Sequence, residues 1–440
     1  MASFIEPRIL KGFRDFLPAG EIARRNLTEK IENSFRSYGF VPIDTPAMEY
    51  AEILLGKGGG ETEKQIYRFT DNGGRDVALR FDLTVPFARF LAAHRDELCF
   101  PFKRYHIAKV WRGENTQRGR YREFTQCDFD TIGSDSAAAD FEILHIMRNT
   151  LLAISGGNVI IHLNHRGLFN RFLSRLGVLD KSVDILRTVD KLAKIGREET
   201  LKILSESVEE TRAEEIVRFI GASGSFDETL AAMTNAAGPC PESERLGLIR
   251  SFMIDAGIAD SFVLDPSITR GLDYYTGVVF ESFLADIPGI GSVCSGGRYD
   301  NLVGLYSKDK RTALSGVGAS IGIDRLIAGL ESLGRLGTEL SYARIAIACV
   351  SGAAGGAYQA LAEKLRKEGV PCEVFPDEEK LSSQFQLAEK KGLRWLIIPD
   401  DEAPLEKPFT LRDLSKRENL ERLKVEDVVK IISPRSPLPF

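Results

Sequence analysis

The sequence predicts an α+β fold, and three observations predict it. Residues 103–133 read as a long hairpin, with YHIAKVWRGE leading in, NTQRGR turning and YREFTQCDFDTIG leading out. Residues 166–260 read as several amphipathic helices with acidic and basic residues mixed. From residue 342 the chain alternates strand and helix, which implies a small α/β domain with a partly parallel sheet. A chain of 440 residues has room for two or three domains. The predicted division is 1–335, interrupted by a helical insertion at 166–260, then 342–433 and a loose tail at 434–440.

Taken in order, residues 21–38 carry apolar side chains at 22, 27, 31 and 35, a helical spacing that Gly39 ends. FVPIDTPAMEY follows as a short extended stretch whose two prolines suit a sheet edge or an interface. DVALRFDLTVPFARFLA at 76–92 begins as a strand, so that Arg80, Asp82 and Thr84 share one face, and Pro86 ends the strand before a helix. On the return strand of the hairpin, Arg122, Phe124, Gln126, Asp128 and Asp130 share a face, and Arg112 and Glu114 share one on the outgoing strand. Strands return from residue 261 and run to GVGASIGIDRLIAGLESL, a glycine-rich strand entering an amphipathic helix. RLGTELSYA reads as a linker. ARIAIACV, VPCEVFP and LRWLIIP then read as strands, and YQALAEKLRKEG and SSQFQLAEKKG as helices.

Composition narrows the class. Hydrophobic residues at 43% and charged residues at 28% are ordinary for a soluble globular protein. No apolar run reaches the ~18 residues of a spanning helix, and MASFIEPRIL lacks the pattern of a secretory signal. Six cysteines, at 99, 127, 240, 294, 349 and 372, form no CxxC. That argues against a structural zinc site and a disulfide framework, and for a reducing, cytoplasmic setting. His162 and His165 lie three apart with no third ligand nearby, so no metal site is predicted. With 58 Lys+Arg against 63 Asp+Glu the net charge is −5, which excludes indiscriminate nucleic-acid binding by the whole surface but leaves room for a local basic groove. Residues 341–440 carry 16 Lys+Arg and 16 Asp+Glu, so the last domain is no polycationic arm.

Four constellations carry chemistry. WRGENTQRGRYREF puts Arg112, Arg118, Arg120 and Arg122 on the hairpin. Planar guanidinium forks suit polyphosphate, Glu114 could accept from an exocyclic amine of a base, and Phe124 could stack on the base. An exposed hairpin solubilised by charge fits the pattern equally. Second, Arg80/Asp82/Thr84, Gln126/Asp130 and Arg270/Asp273/Tyr274/Tyr275 are polar groups on strands that otherwise read as core. Buried carboxylates and amides need partners. Either a structural polar network or a pocket for a small ligand with an ammonium and a polar side chain would supply them. Third, SVCSGGRYDNLV places two glycines before Arg298 and Tyr299, as a simple turn also would. Fourth, Arg325 sits on the first turn of a helix beside a glycine-rich strand, which favours an anion. The spacing fits neither a Rossmann fingerprint nor a P-loop.

Together these segments resemble the histidyl-tRNA synthetases, a family of class II aminoacyl-tRNA synthetases, over nearly the whole chain. KGFRDFLP looks like the family's start, and the first helix with GFVPIDTPAMEY like its dimer-forming first motif. WRGENTQRGRYREFTQCDFD looks like the second class II motif and GVGASIGIDRL like the third. RGLDYYTG and SGGRYDNLV resemble stretches particular to the histidine-specific members, and RGLDYYTG is the most specific.

The resemblance implies a class II synthetase-like antiparallel-sheet catalytic domain with a helical insertion that contacts tRNA, a C-terminal anticodon-binding domain and a homodimer. It implies ATP-dependent attachment of histidine to tRNA(His), with Mg2+ bridging phosphates. Arg112 would hold the α-phosphate, Glu114 the adenine amino group, and Phe124 would stack on adenine; Arg120 and Arg325 would hold the outer phosphates. Asp82, Thr84, Gln126, Asp130, Tyr274 and Tyr275 would line the histidine pocket, and Arg270 would sit against the α-phosphate as a catalytic group beside Arg112. Some members carry Glu where this chain has Asp82 and Asp130, which keeps the charge on a shorter arm. Asn115–Arg118 would touch the acceptor end, and Gln384 and Arg412 are candidates for the anticodon. The alternative is a non-catalytic relative serving as regulatory subunit of ATP phosphoribosyltransferase; such relatives tend to lose ATP-contacting residues and the last domain.

Overall fold

Pairing across three sheets sets out the architecture. In the computed structural model, residues 4–56, 61–268, 275–300, 302–306, 314–399 and 407–432 are described. They form two units, one from the chain up to Arg14 and from Leu27 to Leu336, the other from Asp15–Asn26 and from Gly337 onward. Among the described residues no helix is long and apolar enough to cross a membrane.

The first unit opens with helix α1 (Pro18–Ser37), whose second half belongs to it. Leu27, Ile31 and Phe35 form a buried stripe at the predicted spacing. Gly39, at φ 80°, ends the helix in a conformation that favours glycine. Strand β1 (Val41–Pro42) joins a large sheet only at its edge, where a residue without an N–H is tolerated. The chain then makes β2 (Met48–Tyr50), α2 (Ala51–Leu55), α3 (Glu61–Gln65), β3 (Arg68–Thr70) and β4 (Asp76–Leu79), with the strands in a small antiparallel sheet of order β2-β4-β3.

One expectation fails here. The strand ends at Leu79, and helix α4 (Thr84–His94) begins before Pro86 rather than after it. Proline fits a first helical turn because its missing N–H would have no helical partner there. The Asp82 carboxylate accepts from the Val85 N–H at 3.0 Å and so caps the helix. Arg80, Asp82 and Thr84 therefore lie along a strand-to-helix connection, not on one face of a strand.

The long hairpin is β5 (Phe102–Trp111) and β6 (Glu123–Ile132), paired from Phe102↔Ile132 to Trp111↔Glu123. Arg112, Glu114 and Arg122 fall in the loop between the strands, just outside the predicted faces. Helix α5 (Ala137–Ser155) is capped by Ser136, whose Oγ accepts from the Ala139 N–H. After β7 (Val159–His165) six helices follow: α6 (Arg166–Arg175), α7 (Ser182–Val189), α8 (Leu192–Ser205), α9 (Glu210–Ile220), α10 (Phe226–Ala237) and α11 (Pro241–Asp255). The unit closes with β8 (Phe262–Leu264), β9 (Val278–Leu284), β10 (Cys294–Tyr299), β11 (Gly316–Gly322) and α12 (Ile323–Ser332).

The eight-stranded sheet has the order β1-β5-β6-β11-β10-β9-β7-β8. Its six inner strands are antiparallel, and β1 and β8 add in parallel at the two edges. Side chains alternate between the faces. One face presents Cys127, Phe129, Val317, Ile321 and Phe280, which are buried in a core that includes Phe35 of α1 and Met147 of α5. Each fully buried Phe or Leu of this kind contributes roughly 1.5–3 kcal/mol. Arg298 also lies on this face, where its Nε donates to Asp140 of α5 at 2.8 Å.

The opposite face is polar. Register places Arg104 of β5, Asp130 of β6 and Gly318 of β11 side by side, and likewise His106, Asp128 and Ser320.

The second unit has β12 (Ile345–Ile347), α13 (Gly355–Lys367), β13 (Cys372–Val374), α14 (Leu381–Lys390) and β14 (Trp395–Ile398). Strands β13, β12 and β14 run parallel, as alternating strand and helix require. Strands β15 (Phe409–Asp413) and β16 (Glu418–Leu423) then extend the sheet as an antiparallel hairpin, and α15 (Val425–Ile432) follows. These last three elements lie outside the strands and helices expected from the sequence.

Candidate functional site

The hairpin loop is held from several sides. A tight turn closes it: Gln117 and Arg120 exchange backbone hydrogen bonds at 3.1 and 2.9 Å around Arg118 and Gly119. Gly119, at φ 71°, brings the tip against α12, where an added Cβ would lie 3.1 Å from the Arg325 Cα. Arg118 donates to the Ser332 Oγ. At the base, the Arg122 N–H donates to the Gly12 carbonyl at 2.8 Å. Arg14 pairs with Asp324 and lies 3.8 Å over the Tyr121 ring. Asp324 also accepts from the Thr125 N–H at 2.8 Å, so it ties α12 to the start of β6.

Within this frame Arg112, Glu114, Arg120 and Phe124 come together. Arg112 Nε donates to the Phe81 carbonyl at 2.9 Å, and its guanidinium lies 5.2 Å from the centre of the Phe124 ring. Its two terminal nitrogens make no hydrogen bond among the described residues. Glu114 faces Arg120 at 3.5 Å. Arg325, on the first turn of α12, donates to the Ser292 carbonyl.

Beside the hairpin the polar face carries a buried acidic cluster. Asp82, Asp128 and Asp130 are all within 3% of full burial. Asp130 accepts from the Tyr299 hydroxyl at 2.6 Å and is ion-paired with Arg104 at 2.7 Å. Arg104 is wholly buried and stacks on Phe87 at 3.9 Å. Gln126 donates to the Ser320 Oγ at 2.8 Å, and the Thr84 hydroxyl reaches Asp128 at 3.5 Å. Asp82 Oδ2, Asp128 Oδ1 and Gln126 Oε1 have no hydrogen-bond partner among the described residues. Burial pushes the Asp82 carboxyl up to about 6 and Asp128 to about 7, against the pull of Arg112 on the first and Arg104 on the second. Burial raises Asp130 as well, opposed by Arg104.

Backbone supplies the room. A Cβ on Gly318 would collide with the Asp130 carboxylate, and one on Gly297 would meet the Tyr275 ring at 2.8 Å. Small residues at these two points let a carboxylate and a phenol enter the space above the sheet.

The structure thus brings Asp82, Thr84, Gln126 and Asp130 into one site beside Arg112, and sets Tyr275 over β10. Arg270, Asp273 and Tyr274 lie outside the described residues. Three neighbours escaped the sequence analysis. Arg104 was not singled out, Asp128 appeared only as a member of the polar face, and Tyr299 only in a segment that a simple turn also fits. Register sets Arg104 opposite Asp130, and Tyr299, opposite Gly316, reaches Asp130 diagonally; strand register is not readable from single-strand patterns.

Other expectations resolve differently. His162 and His165 sit three apart on β7 and so point to opposite faces. His162 pairs with Asp265 at 2.8 Å, and His165 Nδ1 accepts from the Gly167 N–H to cap α6. Gln384 is buried and fully bonded: its Oε1 accepts from Cys349 N, and its Nε2 donates to the carbonyls of Cys349 and Glu379, all at 2.8 Å. It braces the second unit internally and offers nothing to an external base. Arg412 is half-buried and donates to Asn419 at 2.9 Å.

Comparison with known proteins gives the same direction throughout. Residues 12–326 match the family model for histidyl-tRNA synthetase, and residues 344–435 match the model for an anticodon binding domain. A histidine–tRNA ligase of Treponema denticola is 52% identical, covering 98% of this chain and 99% of its own length. One from Rhodopirellula baltica is 48% identical over 90% of each chain. The crystal structure of histidyl-tRNA synthetase from Nostoc sp. PCC 7120 superposes with a TM-score of 0.83 at 30% identity, covering 98% of this chain and 99% of that one. A Bacillus halodurans structure described as an ATP phosphoribosyltransferase regulatory subunit/histidyl-tRNA synthetase shares the fold at 20% identity, with a TM-score of 0.73, over 88% of this chain and 97% of its own. With its polar sheet face, arginine-bearing hairpin and two matched regions, the chain belongs to the histidyl-tRNA synthetase family.

Proposed function

We infer that the chain attaches histidine to tRNA(His) at the expense of ATP, through a histidyl-adenylate. The observation that carries the inference is the acidic cluster beside Arg112. Among the described residues the buried carboxylates have oxygens without a partner, which suit an amino acid's ammonium and a polar ring, and Arg112 has terminal nitrogens without one, which suit a phosphate. The regulatory-subunit alternative is not favoured. The relatives at about half identity are histidine–tRNA ligases, the chain keeps Arg112, Arg270 and Arg325, and its last region matches an anticodon-binding domain.

In the first step an oxygen of the histidine carboxylate attacks the ATP α-phosphorus. The bond to the β-phosphate breaks and pyrophosphate leaves. The carboxylate is already a nucleophile, so positioning and charge stabilisation do the work, with little need for acid–base catalysis. Arg112 would neutralise the charge growing on the α-phosphate, together with Arg270. Glu114 would accept from the adenine amino group and Phe124 would stack on the ring. Arg120 and Arg325 would hold the outer phosphates, for which Arg325 exchanges its bond to the Ser292 carbonyl. Asp82, Thr84, Gln126, Asp130, Tyr274 and Tyr275 would line the histidine pocket. In the second step a hydroxyl of the terminal ribose attacks the adenylate carbonyl and AMP leaves.

Magnesium enters as part of the nucleotide substrate, on its phosphate oxygens. Among the described residues no cluster of three or more His, Cys, Asp or Glu side chains stands ready to cage an ion. The two regions are proposed as a catalytic domain, residues 1–335 interrupted by an insertion at 166–260, and an anticodon-binding domain at 342–433. A homodimer is proposed too. The exposed Val41, Met48, Tyr50 and Phe69 leave apolar surface on and beside the sheet edge that carries β1. A cytoplasmic setting accords with six scattered cysteines.

Histidine-dependent ATP–pyrophosphate exchange tests the inference. Exchange with histidine, and none with the other amino acids, is expected. Binding of histidine or ATP without exchange would replace the inference with the regulatory role.

Gly318→Ala tests the pocket separately. The new methyl collides with the Asp130 carboxylate and lies 2.8 Å from the Phe129 carbonyl. The KM for histidine rises by on the order of tenfold or more, because small displacements at a tight site are costly, whereas the KM for ATP holds. Equal rises for both substrates would place the damage outside the amino-acid pocket.

A further inference from the structure

Histidine binding as proposed above uses Asp82 and Asp130, but it gives no task to the carboxylate between them. Asp128 lies on the same face of β6 as Gln126 and Asp130, opposite His106 of β5 and Ser320 of β11. It is 2% exposed. Its Oδ2 meets the Thr84 hydroxyl at 3.5 Å and the Ser320 hydroxyl beside it favours the charged carboxylate, while its Oδ1 has no hydrogen-bond partner within 3.5 Å among the described residues. Asp82, two residues before Thr84, likewise keeps an unpartnered Oδ2.

Buried acceptors without a donor are costly, so these mark places where a donor belongs. The surrounding charges make that donor a cation. Asp128 faces Asp130 on its own strand, Arg104 and His106 from β5, and Arg80 and Asp82 from the connection between β4 and α4, while Cys294 of β10 lies across the sheet on its other face. His106 is held neutral, its imidazole lowered to about 4 by burial and then by Arg104 and Arg80. Arg104 is already paired with Asp130. Asp130 Oδ2 also lacks a hydrogen bond but sits in that ion pair, so Asp82 and Asp128 are the two carboxylates of the cluster with an unbonded acceptor and no ion-pair partner among the described residues.

We propose that Asp128 is a further specificity residue of the amino-acid pocket, which binds the α-ammonium of histidine together with Asp82, and that the pair releases a proton to solvent as the ligand enters. The proposal rests on the histidine inference above. The proton balance follows from charge. In the empty pocket the buried pair retains a proton near neutral pH, since burial raises both groups. An entering ammonium supplies the positive charge instead, both carboxylates ionise, and one proton leaves.

The test is calorimetric titration of the intact chain at pH 6.5 in buffers of differing ionisation enthalpy, which counts protons released. Two ligands are used: histidine, and imidazolyl-lactate, which has a hydroxyl in place of the ammonium. The second subtracts any proton contributed by the imidazole. Histidine is expected to release more protons than imidazolyl-lactate, with the excess fading by pH 8.5. In Asp128→Asn the excess falls, and histidine binds on the order of tenfold or more weakly. Imidazolyl-lactate keeps its affinity, which also shows that the variant's pocket is formed. No excess release in the unaltered protein would overturn the proposal without touching the histidine inference, provided that histidine still binds and supports pyrophosphate exchange. An equal loss of both ligands in Asp128→Asn would overturn it in favour of a purely structural role. Failure of the unaltered protein to bind histidine would overturn it together with the inference beneath it.

Discussion

Arg112→Ala lowers histidine-dependent ATP–pyrophosphate exchange by on the order of 10²-fold or more, the usual consequence of removing one donor from a charge-developing transition state. The geometry explains why so much rests on this side chain. Its Nε is spent on the Phe81 carbonyl, which fixes the guanidinium plane beside Phe124. Fixing the plane in advance leaves little reorganisation for the reaction to carry out. The same bond limits the structural damage, because a half-buried hydrogen bond of this kind contributes about 1 kcal/mol. Arg112→Lys does not restore the rate, since an ammonium offers neither the planar fork nor the Nε anchor. The comparison to make is kcat/KM for exchange beside the melting temperature of each variant. A loss of only a few-fold in a well-folded Arg112→Ala protein would remove the arginine from the chemical step.

How much of this was legible in the sequence depends on the range of the forces involved. Periodicity along one strand was enough to put Gln126, Asp128 and Asp130 on one face, and β6 has them so. It was also enough to find the stripe Leu27, Ile31 and Phe35 on α1. Both signals are local. The match of WRGENTQRGRYREF and RGLDYYTG to a known family supplied the chemistry that no period could. What stayed hidden was pairing between distant segments. Arg104 meets Asp130 only because β5 and β6 align in one register, and a slip by one residue would turn it to the other face. Asp82 and Thr84 looked like strand residues because DVALRFDLT alternates, yet the Asp82 carboxylate on the Val85 N–H draws the chain into a helix before Pro86. Gln384 stood only as a candidate for the anticodon in the last domain. Its three bonds to Cys349 and Glu379 come from chain segments that the helix sequence cannot reveal. The β15–β16 hairpin was missed because charged residues on its exposed strand hide any alternation, as the fully polar-facing run of β16 illustrates.

Arg104→Met destabilises the protein by roughly 3–5 kcal/mol at pH 8, the range for removing one partner of a buried ion pair, and by distinctly less at pH 5. Methionine keeps much of the length and the contact with Phe87, so the change is mainly one of charge. The pH dependence follows from the carboxylates that Arg104 serves. Asp82 and Asp128 titrate in the folded protein at about 6 and about 7, above the 3.8 of a free aspartate. Between about pH 4 and pH 7 the folded state therefore binds more protons than the unfolded state, and stability falls as pH rises through that window. Arg104 opposes the fall, since it pulls the folded values of all three carboxylates down. Without it they rise further, and above pH 7 the folded chain must either retain protons against the solution or bury negative charges with no counter-ion beside them. At pH 5 Asp82 and Asp128 are largely protonated in any case, and the missing guanidinium leaves little unbalanced. Melting temperatures of the unaltered and Arg104→Met proteins at the two pH values decide the matter. A deficit that is equal at both, or larger at pH 5, would mean that Arg104 acts through its packing on Phe87 and not as the counter-ion of the acidic pocket.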